Sequence, residues 1–453
     1  MKIRVFQSDK GDCLLLRGAD DRLMLVDGGM RSSYVKHVAP ALGELQKKKE
    51  KLDVVYVSHI DQDHIAGVLK LMDDEFAWRV HDFAVKVGND DKKPPKVPRP
   101  PAVKAIWHNA FRDQVPDNKG EIEQMLAASA GILGGASDSV VRALAAEQGE
   151  LATSVAEAIK LTRRVGPEQL GVKVNPPAKG KLMLVRSAGT KPFSLGGMKI
   201  NIIGPFKKEL DDLREEWNKW LEDKKNKLQL SELRRQADED DTAFAAREVG
   251  QIIGPKVRQA DALAASLALA DPKKDVELGD RDMVTAPNLA SLMLFVQEKK
   301  KKLILSGDGH TDDITLGLER AGKLKKNGGL HVNVLKVPHH ASEHNVRPSF
   351  CRAVTADHYL FCGRNAGRDK NPDLRVIRAF AESRLSDDAD VRSPNKQAGD
   401  DFKFWFSGSV ANSEGDDREY MKKVESEVKK IAAKSGGRMD FFFLEDSFFD
   451  LDV

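Results

Sequence analysis

The ten residues SHIDQDHIAG, from Ser58 to Gly67, place His59, Asp61, Asp63 and His64 within six positions. Imidazole and carboxylate groups together suit divalent ions such as zinc and manganese. In an extended segment alternate residues point to one side, so His59, Asp61 and Asp63 can converge on one centre. His64 follows at the turn into the next segment and can approach from a second side. A lone Asp ahead of an apolar run reads as a helix N-cap; four metal-competent groups at this spacing read as ligands. A two-ion site needs further ligands, and two later segments end in the same way. KKLILSGDGH delivers Asp308, and VNVLKVPHH delivers His339 and His340. A carboxylate at a strand-to-loop corner can bridge two ions about 3.5–4 Å apart, the separation typical of hydrolytic centres.

These side chains need strands to carry them. VVYVS, before the quartet, is a β-branched run that reads as a buried strand. KIRVFQ, CLLLRG and RLMLVDGG form a β-meander, broken by the turn compositions DKGD and GADD. An amphipathic helix is expected from about Tyr34 to Lys49, and IAGVLKLM looks helical. AVKAIWHN, KLMLVRSAG, MKINIIGP, SLMLFVQE, HYLFCG and FKFWFSG are further strand candidates, and MDFFFLED closes the chain. DKKPPKVPRPP, at 91–101, reads as a basic polyproline surface loop. Its lack of interleaved aromatics argues against a stacking platform for nucleic acid. Residues 119–170 are alanine-rich and helical. A charged helix follows Lys207, with Leu210, Leu213, Trp217, Trp220 and Leu221 on one stripe, which packs on the body or receives a partner. Strands and helices in this order predict a layered α/β (α+β) sandwich of sheets flanked by helices.

Composition excludes several classes. The 453 residues exceed one ordinary core. Lys plus Arg is 73 against 70 Asp plus Glu, so the net charge of +3 lends no support to nucleic-acid binding. Cys13, Cys351 and Cys362 form no CxxC pair, which argues against a disulfide framework or a thiolate zinc site and fits a reducing, cytoplasmic setting. The opening MKIRVFQSDKGDCLLL lacks the apolar core of a signal peptide. No apolar stretch approaches the roughly 18 residues of a membrane span, so no membrane association is expected. Without a P-loop or a GxSxG elbow, ATP hydrolysis and serine esterase chemistry have no basis.

The motif set resembles the metallo-β-lactamase superfamily, whose pattern is HxHxDH, a later Asp and a final His. Within it, the chain is similar to the hydrolase domain of ComEC-type DNA-uptake competence proteins. The shared pieces are GDCLLLR, LVDGG, HIDQDHIAG, LSGD and LKVPHHAS, with NLASLMLF before the Asp strand. The resemblance runs from residue 1 to about 385 and implies an αββα sandwich with helical insertions. Its first half is 1–110 and its second half 286–385, with sandwich strands at 176–206. Residues 111–175 and 207–285 are then helical insertions, and 386–453 a C-terminal extension.

The resemblance implies two divalent ions, zinc or manganese, on His59, Asp61, Asp63, His64, Asp308 and His339, with the choice between His339 and His340 left open. It assigns catalysis to Asp63, orienting a metal-bound hydroxide, and to His340 (or His344), protonating the leaving group. Asp27 would hold a ligating His or the glycine turn beneath the ions, and His108, Asn288, His310 and His344 are further candidates for lining the site. Three departures matter. Asp61 replaces the second His of the superfamily pattern, which makes the set richer in oxygen and lets manganese compete with zinc. A mid-chain His ligand has no obvious equivalent, with His108 as stand-in. Asn371 stands where the competence group has a His. The expected chemistry is hydrolysis of a phosphodiester, in nucleic acid or a nucleotide, without a covalent intermediate. The alternative is a metal-binding regulatory or partner-activated protein with little turnover, its partner docked on the helical insertions.

Overall fold

The computed structural model describes residues 1–88, 93–109, 160–208, 210–211, 278–284, 286–326, 328–367 and 370–453. Residues 119–159 of the alanine-rich helical stretch expected over 119–170, and the apolar stripe beyond Leu210, lie outside the described residues, as does most of each helical insertion.

The expected opening meander is present. β1 (Lys2–Phe6), β2 (Leu14–Arg17) and β3 (Leu23–Val26) pair antiparallel in sequence order. β4 (Val54–Tyr56), β5 (Ala105–Trp107) and β6 (Lys173–Val174) then add in parallel. The second sheet starts antiparallel with β7 (Phe193–Leu195), β8 (Met198–Gly204), β9 (Met293–Glu298) and β10 (Lys301–Leu305). It continues in parallel through β11 (Leu330–Lys336), β12 (Val354–Phe361), β13 (Phe402–Phe406) and β14 (Met439–Phe443). β15 (Phe448–Asp452) crosses back and pairs antiparallel with β1, closing a seven-stranded sheet opposite an eight-stranded one.

Side chains alternate across each sheet, so each strand feeds two cores. Leu14, Leu16, Met24 and Val26 join Leu294, Leu303, Val334 and Leu360 between the sheets. Leu15, Leu23 and Leu25 face outward and pack with residues of α1 (Ala39–Lys47) and α2 (Gln62–Lys86). On the other outer face, Phe295, Ile304 and Leu335 pack with α3 (Thr311–Arg320), α4 (Pro348–Ala353), α5 (Leu374–Leu385) and α6 (Gly415–Lys434). The result is the expected αββα order of layers. Strands buried on both faces explain why LLL and LMLV read as continuous apolar runs.

Two local readings differ. The helix expected from Tyr34 opens with a π-helical turn, Tyr34–Val38, before α1. KLMLVRSAG forms no strand. Asn109 takes its backbone instead: Met183 N donates to Asn109 Oδ1 (2.8 Å) and Asn109 Nδ2 donates to Met183 O (2.7 Å). Side-chain bonds to the main chain thus replace a ladder. Among the described residues, no helix is long and apolar enough to cross a membrane.

Candidate metal centre

The loops after β3 and β4 of one sheet and after β10 and β11 of the other come together at one edge of the sandwich. Ligand sites of layered α/β folds collect at such carboxyl ends of strands. Past β3 lies Asp27, in the left-handed region (φ 54°). Past β4 come His59 and the start of α2; past β10, Asp308; past β11, His339 and His340.

The turn into α2 answers why Asp61 is not simply a cap. Asp61 occupies the N-cap position, and its main-chain oxygen accepts from His64 N (2.9 Å) and Ile65 N (3.0 Å). Its side chain makes no capping bond and lies 2.9 Å from His59 Nε2 instead. Asp63 sits in the first helical turn, where the helix dipole favours a carboxylate. The turn is pressed onto the loop after β3 by two glycines. A Cβ on Gly67 would run into the Gly28 carbonyl, 2.9 Å from Gly28 Cα. Gly28 N also donates to His64 O (2.8 Å) and Gly67 N to Gly29 O (3.0 Å). The DGG and HIAG motifs are two halves of one backbone contact.

Hydrogen bonds orient three imidazoles alike. His64 Nδ1–H donates to Asp27 Oδ2 (3.1 Å), while Asp27 also accepts from Ser58 N (2.7 Å) and Ser58 Oγ (2.6 Å). His340 Nδ1–H donates to Cys362 O (3.0 Å), with Asp12 Oδ1 3.3 Å away. His339 Nδ1–H donates to Asn345 Oδ1 (2.7 Å), whose Nδ2 donates to Asp308 O (2.9 Å). In each ring the Nδ1 proton is engaged, which leaves Nε2 as the ligand atom, the usual arrangement behind a metal-binding His. Those Nε2 atoms face Asp308 Oδ2: 3.0 Å for His64, 3.6 Å for His340 and 3.7 Å for His339. His340 Nε2 also lies 3.0 Å from Asp63 Oδ2. His339, His340 and Ala341 all have positive φ (43°, 51° and 65°). Left-handed backbone costs roughly 1–2 kcal/mol per non-glycine residue, and it is held here by His339 N donating to Gly307 O (3.1 Å).

The electrostatics follow from the charges packed together. Burial works against charge on the His64 and His340 rings, but neighbouring carboxylates, Asp308 foremost, outweigh it. They hold His64 well above the usual range and push His340 up to about 10. Burial raises Asp308 and Asp63, yet His64 and His340 hold both below the ordinary carboxylate value. Asp12, also buried, is held far down chiefly by Lys336.

Among the described residues, three groups of side chains bring ligand atoms within 4.8 Å of one another: Asp63, His64 and His340; Asp12, Asp308 and His340; Asp12, Asp27 and His64. Asp12 Oδ1, Asp61 Oδ1 and Asp308 Oδ1 are buried without a hydrogen-bond partner, and His59 Nε2 and His340 Nε2 are buried against the carboxylates of Asp61 and Asp63. Orphaned acceptors gathered at one point are what divalent cations would satisfy, so the residues present fit metal ions.

The remaining sequence candidates belong to none of these three groups. His310 caps α3, its Nδ1 accepting from Asp312 N (3.1 Å) and its Nε2–H donating to Gly279 O (3.0 Å). His108 is buried past β5, its main chain clasped by Asn175. His344 neighbours Glu343 (3.7 Å). Asn288 accepts from Ser291 N, and Ser291 Oγ accepts from Asp308 N (3.2 Å), so this turn supports the Asp308 loop. Asn371 is buried beside Pro372.

Sequence reasoning missed Asp12, Lys336 and Asn345 as parts of the centre. Lys336 is 1% exposed, donates to Gly307 O (3.0 Å), is ion-paired with Asp12 and lies 3.7 Å from Asp308 Oδ1. The signal was present: Lys336 lies two residues beyond Val334, on the strand face that packs between the sheets.

Residues 9–108 match the model of the metallo-beta-lactamase superfamily, a span that holds Asp12, Asp27 and the His59–His64 quartet. A search of curated proteins finds no match. The matched span and the clustered His and Asp groups support a metal-dependent hydrolase.

Proposed function

We propose that the chain is a phosphodiesterase acting on nucleic acid or nucleotides with two divalent ions, zinc or manganese. The observation that carries the metal site is the convergence of buried His and Asp ligand atoms at the carboxyl ends of β4, β10 and β11. The phosphodiester class rests on the resemblance of HIDQDHIAG, LSGD and LKVPHHAS to the ComEC type.

His59, Asp61, Asp63, His64, Asp308 and His340 would hold the ions, with His339 at their rim. When bound, such ions supply a nucleophile from water near neutral pH and draw charge from the oxygen of the breaking bond. The chain's own residues do the positioning. Asp27 and Ser58 lock the His64 ring, the Cys362 carbonyl and Asp12 lock His340, and Asn345 locks His339. Asp63, on the first turn of α2, would orient the attacking water. His340 reads better as a ligand than as the proton donor of the sequence expectation, because its Nδ1 proton is committed and its Nε2 faces Asp63 and Asp308.

The test is a panel of single- and double-stranded DNA, RNA, cyclic nucleotides and a chromogenic diester, with manganese or zinc. Cleavage by the native protein that disappears in Asp63→Ala supports the reading. Two bound ions per chain without cleavage of any diester sinks it, and leaves a regulatory or partner-activated metal protein.

A further inference from the structure

A buried polar atom without a partner asks for a ligand of complementary character. In the metal centre the orphans are carboxylate oxygens. Beside it they are donors. Arg364 is 8% exposed; its Nη2 reaches Asp9 Oδ1 at 3.2 Å, while Nε and Nη1 are buried with no hydrogen-bond partner. Among the described residues, no other Arg or Lys has side-chain nitrogens in that condition. A guanidinium offers five donors and cannot shed its charge, so its complement is an anion.

The position ties this anion to the centre. Arg364 follows Gly363 at the carboxyl end of β12 (φ 78° at Gly363), where an added Cβ would stand 2.7 Å from His340 Nδ1. The Arg364 side chain lies along Gly408, where an added Cβ would meet its Cβ at 3.1 Å and its Cδ at 3.2 Å. Asp9, which steadies the guanidinium, shares a loop with Gly11 and Asp12. A Cβ on Gly11 would lie 2.9 Å from Asp63 Cβ. Arg364 is therefore held between two loops that both touch metal-ligating residues.

We propose that Arg364 binds a phosphate-type oxyanion, a phosphoryl group of the substrate next to the one that reacts. This rests on the phosphodiester reading and narrows it: the favoured substrate carries a second phosphate, as an oligonucleotide or a phosphorylated nucleotide does. Asp9 fixes one arm of the fork, and two nitrogens remain to donate to phosphoryl oxygens in the charge-assisted manner typical of Arg.

The experiment uses the full chain as native protein, Arg364→Gln and Arg364→Lys. Each is titrated calorimetrically, with manganese and again with chelator, against a 5′-phosphorylated dinucleotide and the same dinucleotide without that phosphate. With manganese, the native protein prefers the phosphorylated probe by at least about tenfold. Arg364→Gln loses the preference while its affinity for the unphosphorylated probe, its manganese content and its unfolding temperature stay native. Arg364→Lys, which keeps the charge without the fork, retains part of it and serves alone if the Gln variant does not fold. No preference in the native protein, binding of neither probe, or an equal preference in the variants overturns the proposal. The two readings fail separately. Cleavage of diesters without an Arg364-dependent preference removes only the subsite, and an Arg364-dependent preference without any cleavage removes only the turnover.

Discussion

Lys336→Met offers the sharpest test of how the centre is held together. Met matches the lysine stem in volume but removes a charge from a site where Lys336 and Asp12 are each 1% exposed. The substitution strips Asp12 of its lysine partner, with His340 Nδ1 (3.3 Å) as the nearest remaining basic group, takes Lys336 from Asp308 (3.7 Å), and removes from Gly307 O the donor that now stands 3.0 Å away. Removing one partner of a buried pair costs about 3–5 kcal/mol, because the charge left behind is desolvated and uncompensated. Asp12→Asn should cost a similar amount for the mirror reason. The double variant removes both charges, so its loss should fall short of the summed single losses by at least about 2 kcal/mol. Equilibrium urea unfolding followed by near-ultraviolet circular dichroism, in chelator so that no ion stands in for the lysine, gives all four corners of the cycle. A Lys336→Met loss below about 1 kcal/mol, or strict additivity, would refute the claim that this pair is coupled and buried.

Other perturbations have equally definite outcomes. Gly67→Ala gains about 1 kcal/mol of helix propensity, but its methyl runs into the Gly28 carbonyl; a net loss of about 2 kcal/mol or more is expected by urea unfolding. Asp53 is raised by burial but carried below the ordinary carboxylate value by Lys104, Leu23 N and Arg22, so its ion pairs stabilise the fold above an unfolded pKa of about 3.9 and that stability is lost as pH falls through the lower folded pKa. The stability gap between native protein and Asp53→Asn should thus be widest above about pH 5 and narrow toward acid, and a gap that widens toward acid contradicts this. Manganese or zinc at a hundred times its dissociation constant should stabilise the native chain by about 2.7 kcal/mol for each ion bound. Asp308→Ala should lose most of that gain in thermal unfolding scans with and without chelator, and a full metal response in the variant would take Asp308 out of the ligand set.

Much of the candidate site was legible because its signals are local. His59, Asp61, Asp63 and His64 lie within six residues of a β-branched strand end, and Asp308 and the HH pair follow apolar runs that end in turn residues. Asp27 stood in a glycine turn whose role could be framed but not chosen, and the structure puts its carboxylate on His64 Nδ1. His310 illustrates the reverse: two residues past Asp308 it looked like part of the mouth, but a helix begins there and both ring nitrogens are taken by backbone. Residues 386–453, set apart in sequence as an extension, supply β13, β14 and β15.

By itself, the sequence determined which side chains could ligate, which segments are strands buried on two faces, and hence a layered α/β sandwich. These follow from side-chain chemistry and from a period of two, properties that a few consecutive residues carry. Tertiary structure alone decided which ring nitrogen each histidine presents, because the Nδ1 partners Asp27, Cys362 O and Asn345 come from other loops. It decided that β15 pairs with β1 in the register Ile3↔Leu451, across almost the whole chain. It also decided that a lysine in an apolar strand and an aspartate after a tight turn meet in the core. Such pairings depend on how two sheets close over one another, and no local pattern encodes the distance between residues on opposite sheets.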